Sequence, residues 1–480
     1  MPCTTILVGN KASYDGSTII ARNDDGAFEA KKMMVIERNQ PSKYKCIISH
    51  LEIDLPKKSY RYTACPNVDK HRGAWAACGI NEKNVAMTAT ETITSNPLVK
   101  GADPLVVYEK NGKNVKVGGI GEEDLLTIVL PYVSSAREAV LRTGELLEKY
   151  GTYESNGMAF SDEKEVWWLE SIGGHHFMAV RVPDEKIVLM PNYFGLDYFD
   201  LKDAYSKQVS NICSKDLKDF IKNNHLDRNN DGKFNPKIIF GSHSFQDHLY
   251  NTPRAWYLLK YFNPTTYDWI NNPKYSPISD DIPFSTVPER KVSIEDIKYI
   301  LSSHYQSSEY DPYSKASRAG AYRSIGVPNT DCMGILQIRP YMPKELKGIE
   351  WMCLGGSAFT ACFGQYVNVD SFNPYISRTT KEVSTDNMYW NSRLIAALTD
   401  AAYKTNVIED ERYQNAIINK CNQIIHEYDE KMLKSKDYSL CKEANDKIIE
   451  FLKTKTKETL NKVLLNASNN MKTRYHREDN

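Results

Sequence analysis

The sequence predicts an α+β protein, layered from strands and helices without the regular strand–helix alternation of a parallel sheet. Three observations carry this. Short β-type runs separated by turn signals fill the first 190 residues, two helical segments interrupt them near 122–150, and from about residue 386 the texture becomes Lys/Glu-rich and helical.

Residues 4–9 and 17–22 read as strands joined by the turn 10–16, which holds Asn, Ser, Asp and Gly. Strands follow at 33–37, 45–51, 76–80 and 85–90, with a hairpin turn at 81–84. Segments 122–132 and 135–150 have apolar residues at helical spacing, Val140, Leu141, Leu146 and Leu147 forming one stripe. Strands return at 157–161, 166–170, 176–182 and 187–190. Helices are expected at 214–223, 254–262 and 294–304, and strands at 321–327, 335–339 and 350–354. In the tail, Ile417, Cys421, Ile424, Ile425 and Tyr428 make one apolar face on a charged helix. Heptad spacing is not kept, so a packed helical extension is expected rather than a coiled coil.

Composition narrows the function. The 480 residues carry 61 Lys plus Arg against 61 Asp plus Glu, which leaves no basic excess for a nucleic-acid partner held by bulk electrostatics. Hydrophobic residues at 41% and charged residues at 25% exclude dominant disorder. No apolar run approaches the roughly 20 residues that span a bilayer, so no membrane partner is expected. The opening residues 1–9 lack a basic region followed by an apolar core, and the compartment expected is cytoplasmic. The ten cysteines include no C-x-x-C pair, which leaves no zinc ribbon or redox dithiol; reduced, buried thiols are expected. A homo-oligomer is the expectation from general frequency alone.

Cys3 has the most chemistry around it. The strand it opens should pair with one ending Arg22-Asn23-Asp24-Asp25, bringing a thiol, a guanidinium and two carboxylates to one sheet end. A cation favours the thiolate needed to attack a carbonyl. Loss of residues 1–2, a short propeptide, would also give Cys3 a free α-amine able to act as its own base near neutral pH. Asp25 could hold that ammonium, and Arg22 could bias the thiolate or bind a substrate carboxylate.

The opening CTTILVGNKASYDGSTIIARNDD resembles the start of the peptidase C69 dipeptidases, N-terminal-nucleophile hydrolases related to choloylglycine hydrolases and penicillin V acylases. Further matches follow in order: Gly79-Ile80-Asn81-Glu82-Lys83, Ala89-Thr90-Glu91-Thr92, residues 165–170, 301–306 and 310–313, and Ile335-Leu336-Gln337-Ile338-Arg339-Pro340. The resemblance spans roughly residues 3–400. It implies a four-layer αββα sandwich over 3–385, with 386–480 as the helical extension, and metal-independent hydrolysis of dipeptides of broad side-chain type without a cofactor. Cys3 takes the nucleophile position, and Arg22 and Asp25 the positions of the wider group's Arg and Asp. Asn192 takes that of an oxyanion- or amine-contacting Asn. Arg323, with Arg318 as competitor, matches a second arginine that binds substrate.

Two departures stand out. Glu91 replaces the acylases' second oxyanion Asn; a carboxylate there would repel an oxyanion but could bind the free amine of a dipeptide. Met333-Gly334 stands where the family pattern has Ser-His. The alternatives are an N-acyl amide hydrolase of the same fold, acting on bile-salt or penicillin V type amides, and a non-catalytic interaction relative. Thr4 is a minor rival nucleophile.

Other motifs read as structure. Residues 227–232 resemble half a calcium loop, but Ile238 stands where a bidentate Glu is required, so a turn is expected. His175 and His176, adjacent on a predicted strand, should point apart and chelate nothing together. His304 has no partner His one turn on and should be structural. Of Trp167 and Trp168, on opposite faces, one should be core and the other could wall a pocket.

Overall fold

The computed structural model describes residues 3–26, 29–88, 91–229 and 232–472. At its centre, the β-branched runs Thr4–Val8 and Thr18–Asp25 pair antiparallel, Thr4 opposite Asn23 and Thr5 opposite Arg22. Distant chain extends this pair on both sides. Ile187–Met190 lies beside Thr4–Val8, with Ser285–Thr286 beyond it; Thr330–Ile338, Gly348–Leu354 and Phe363–Tyr366 follow Thr18–Asp25. Every neighbour in this seven-stranded sheet is antiparallel.

The second sheet runs Asn211–Cys213, His176–Arg181, Val166–Ile172, Asn156–Ser161, Ala86–Thr88 and Cys78–Ile80, and Glu91–Thr92 also pairs with Asn156–Ser161. The two sheets contact each other through Thr18–Asp25 and Thr330–Ile338 on one side and Cys78–Ile80, Ala86–Thr88 and Asn156–Ser161 on the other. A Cβ added at Gly334 would stand 2.4 Å from Cys78 Sγ, so glycine is what the approach of the sheets requires there. That is the physical content of the Met333-Gly334 departure.

Helix Ala136–Tyr150 packs on the second sheet, against Asn156–Ser161, Val166–Ile172 and His176–Arg181. Ser135 caps it by accepting the Glu138 N–H at 3.1 Å, and Gly151, at φ 66°, ends it. With both faces covered, Val166–Ile172 is buried at all seven positions. Trp167 belongs to the hydrophobic cluster that holds Val140 and Leu147 of that helix, while Trp168 belongs to the other cluster, with Ile20 and Met333 of the first sheet. Both indoles are fully buried, so neither walls an open pocket.

Several sequence expectations change. Residues 45–51 were expected to be a strand; they form the connection between the short paired strands Lys43–Lys45 and Glu52–Asp54. Residues 321–327 form no strand. Their amides bond elsewhere instead, Arg323 N–H to Leu249 O of the helix Phe245–Tyr250 at 3.2 Å and Ile325 N–H to Ser303 O at 3.0 Å. His175 lies in the turn before its strand, where alternation does not apply, and both imidazoles reach one carboxylate: Nδ1 of His175 is 2.8 Å and Nδ1 of His176 2.7 Å from Asp103. His304 is structural, its Nδ1 at 3.0 Å from Asp311. All ten cysteines are buried and unbridged. The propeptide residues 1–2 and residues 230–231 of the calcium-like loop lie outside the described residues.

The tail forms helix Met388–Ala401 and a long pair, Tyr403–Ser435 and Leu440–Asn469, that packs on Phe363–Tyr366. Ile417, Cys421, Ile424, Ile425 and Tyr428 are all buried, as their spacing requires. A charge clasp ties this pair to the first sheet. Arg339 donates through both Nη atoms to Asp429, which also accepts from Tyr366 OH at 2.8 Å. Among the described residues no helix is long and apolar enough to cross a membrane.

Two predictions follow from burial. Asp429→Ala strands the buried Arg339 guanidinium and is expected to cost about 3–5 kcal/mol in chemical denaturation; a loss within experimental error of zero would contradict the clasp. Second, burial raises Glu170 to about 7, Glu350 to about 8, Asp331 to about 8 and Asp410 to about 7. These groups hold protons in the folded state that the unfolded chain has already released, so unfolding free energy falls as pH rises. The urea midpoint is expected to drop steadily between about pH 5 and about pH 8, and a flat or rising profile would refute it.

Candidate active site

Strand alternation divides the predicted cluster between two faces. Cys3, Thr5, Arg22 and Asp24 lie on the face turned toward the second sheet; Thr4, Asn23 and Asp25 lie on the other. Arg22 and Asp25, three apart on one strand, therefore do not meet side by side.

On the first face everything converges on Arg22, which is 2% exposed. Its Nη2 donates to Cys3 Sγ at 3.0 Å, to Asp24 Oδ1 at 3.0 Å and to Glu122 Oε1 at 2.6 Å. Lys31 Nζ meets the other oxygen of Asp24 at 2.6 Å. These two cations hold the Asp24 carboxyl below its ordinary range despite burial. Glu122 arrives on the first turn of helix Glu122–Val129, where an acid is favoured by the helix dipole. Nε and Nη1 of Arg22 are buried without a hydrogen-bond partner among the described residues.

Cys3 is 1% exposed. Burial pushes its thiol well above the ordinary value; Arg22 opposes this, while Glu91, Glu122 and Asp24 reinforce it. Burial thus outweighs the pull of the cation toward a thiolate. Cys3, Asp24 and Glu122 also bring three ligand atoms within 4.8 Å of one another, the kind of set that can hold a metal. Arg22 Nη2 already bonds all three, so the arrangement serves as a cradle for a guanidinium.

Glu91 reaches the same face from the second sheet. It is wholly buried; Thr5 Oγ1 donates to its Oε1 at 2.7 Å, and Oε2 has no hydrogen-bond partner among the described residues. Burial raises its carboxyl to about 8, against the opposing pull of Arg22 and Arg254.

The other face belongs to two further arginines. Arg323 Nη2 donates to Asp25 Oδ2 at 2.5 Å, and Thr330 Oγ1 to Asp25 Oδ1 at 2.5 Å. Burial still leaves the Asp25 carboxyl raised. Arg318 instead pairs with Glu309 at 3.2 Å on the surface, so Arg323 is the one that reaches the cluster. Arg254 is fully buried: Nη1 donates to the Cys3 carbonyl and to Thr4 Oγ1 at 2.7 Å, and Nη2 to Asn192 Oδ1 at 2.8 Å and Asn251 Oδ1 at 2.7 Å. Asn192 follows Ile187–Met190, whose end lies beside the start of Thr4–Val8 because the two strands are antiparallel. Thr4 thus offers its hydroxyl to Arg254, away from the sulfur.

Sequence reading missed Arg254, Glu122 and Lys31. One signal was available for Arg254. A cation in the first turn of Thr252–Phe262 opposes the helix dipole and needs compensation from elsewhere. Arg254→Met would leave the Cys3 carbonyl, Thr4, Asn192 and Asn251 without their donor. It is expected to cost about 3–5 kcal/mol in urea denaturation, and a change under about 0.5 kcal/mol would show that the arginine holds nothing in place.

Comparison with known proteins agrees with this geometry. The family model "Peptidase family C69" matches residues 2–416. A "Dipeptidase" of Bifidobacterium longum is 52% identical over 426 residues, covering 86% of this chain and 80% of its own length. A "Probable dipeptidase A" of Streptococcus pyogenes serotype M3 is 44% identical over 487 residues, with both chains covered in full at 100%. "Dipeptidase A" of Lactobacillus helveticus is 41% identical over 456 residues, covering 93% of this chain and 91% of its own. A nucleophile candidate at the tip of the central strand, the arginines around it and a family match across most of the sequence agree, and the chain belongs to peptidase family C69, a cysteine peptidase family.

Proposed function

We propose that this chain is a dipeptidase that cuts through Cys3 as an N-terminal nucleophile. The observation that carries the proposal is the double hold on Cys3, its sulfur at 3.0 Å from Arg22 and its carbonyl bonded by Arg254, inside a chain of family C69. Two facing sheets with helices packed beyond them support the αββα arrangement of N-terminal-nucleophile hydrolases for residues 3–385, with 386–480 as its helical extension.

Removal of residues 1–2 would free the α-amine of Cys3. The thiol can do this itself by attacking the Pro2 carbonyl, after which water releases the residue. In turnover the amine takes the thiol proton as sulfur attacks the dipeptide carbonyl. The resulting ammonium protonates the leaving amine, the C–N bond breaks, and water hydrolyses the acyl-enzyme. Arg22 holds the sulfur, and its remaining N–H groups offer donors to the substrate. Asp25, one residue past Asp24 at the strand end, is assigned to the ammonium, with Arg323 anchoring it and reaching toward the substrate's charged end. Asn192, its oxygen held by Arg254, is assigned to the reacting carbonyl through its amide N–H.

Intact mass, iodoacetamide inhibition and a substrate panel test this together. Active protein should lack Met1 and Pro2, lose activity on alkylation, and cleave dipeptides well ahead of N-acylated amides. Cys3→Ala should keep Pro2 and fall to background. Full activity with Pro2 retained would rule out the free-amine mechanism, and a preference for N-acylated amides would make the chain an acylase.

A further inference from the structure

Resting on the Cys3 assignment above, we propose that Glu91 works as a neutral carboxylic acid whose Oε2–H donates to the oxyanion formed when Cys3 attacks. The placement argues for it first. Thr5 and Cys3 are two residues apart on one face of the central strand, so their side chains stand about 7 Å apart. Thr5 pins Oε1 of Glu91 at 2.7 Å, which places the carboxyl one step along from the sulfur. The interval suits a carbonyl group lying between thiol and acid. Oε2, the oxygen left over, is buried with no partner among the described residues.

A buried oxygen that finds no donor is costly as a carboxylate and far less so as a hydroxyl waiting for an acceptor. The groups acting on Glu91 are Arg22 and Asp25 from the strand Thr18–Asp25, Arg254 from its helix, and Cys3 and Thr5. Two cations so near would ionise an exposed acid. Burial outweighs them, and the carboxyl is pushed up to about 8, which keeps it mostly protonated at neutral pH. A neutral acid removes the conflict between an acidic residue and an oxyanion, because it contributes a donor instead of a like charge.

No proton is lost in this role. Sulfur bonds to the carbonyl carbon, the C=O π pair moves to oxygen, and the thiol proton passes to the Cys3 amine. Glu91 keeps its own proton and hydrogen-bonds the new oxyanion. When the intermediate collapses, the π bond re-forms, the C–N pair leaves with the proton from the ammonium, and Glu91 is unchanged.

The same residue read as an ionised anchor for a substrate ammonium makes different demands, so two variants and one spectrum decide. The probe is alanyl-alanine, with Glu91→Gln as a neutral donor of the same shape and Glu91→Ala as a deletion. Wild-type kcat should fall as pH rises through about 8, where Glu91 ionises. Glu91→Gln should lack that alkaline limb and lose no more than about tenfold in kcat, whereas Glu91→Ala should lose about 10²–10³ in kcat with little change in KM. Wild-type-minus-Glu91→Gln infrared spectra should show a carboxylic-acid C=O band at neutral pH that titrates through about 8. A loss in Glu91→Gln that falls mainly on KM, or equals that of Glu91→Ala, overturns the proposal, as does a missing band. Hydrolysis that survives Cys3→Ala overturns the nucleophile assignment and the oxyanion role with it, and that variant identifies the cause without reference to Glu91.

Discussion

A guanidinium taken out of water must be surrounded by acceptors, and at Arg22 those acceptors come from three parts of the chain. Cys3 supplies a sulfur from the start of the first strand, Asp24 a carboxylate from the same strand as the arginine, and Glu122 a carboxylate from a helix a hundred positions on. Leaving a buried charge unpaired costs several kcal/mol, so the three elements are held to one geometry. The position of Cys3 is a consequence of satisfying that cation. Lys31 on the far oxygen of Asp24 continues the alternation of charge away from the sulfur.

The strand pair that carries Cys3 also separates two kinds of work. On the side facing the second sheet lie the thiol, Arg22 and Glu91, the groups able to meet a reacting carbonyl. On the other side Arg254 and Arg323 bond to the Cys3 carbonyl, Thr4, Asn192 and Asp25, fixing the backbone from which the thiol projects. The upward shifts of the Cys3 thiol and the Glu91 carboxyl share one cause, burial in the interval between two sheets. That interval also explains why Gly334 is tolerated where a side chain would collide with Cys78.

Elements with strong local signals were legible. β-type runs bounded by turn signals located the strands around 4, 18, 166 and 187, and helical spacing of apolar residues located 135–150 and the tail. Residues 321–327 misled because their β-branched and aromatic content suits a strand, yet their amides bond to a helix end and a loop rather than to another strand. The strands Asn211–Cys213 and Phe363–Tyr366 escaped notice because short buried strands gain their stability from neighbours, which a local pattern does not contain.

By itself the sequence determined that Cys3 opens a strand whose partner ends in Arg22 and Asp25, because turn chemistry and strand period are local properties. It also supplied enough ordered motifs to place the chain in its family. Only the tertiary structure decided which side chains share a face, that Arg254 and Glu122 complete the surroundings of Cys3, and that Glu91 is buried deeply enough to push its carboxyl up. Those outcomes depend on distance and dielectric between residues far apart in the chain, and neither exists until the two sheets close on each other.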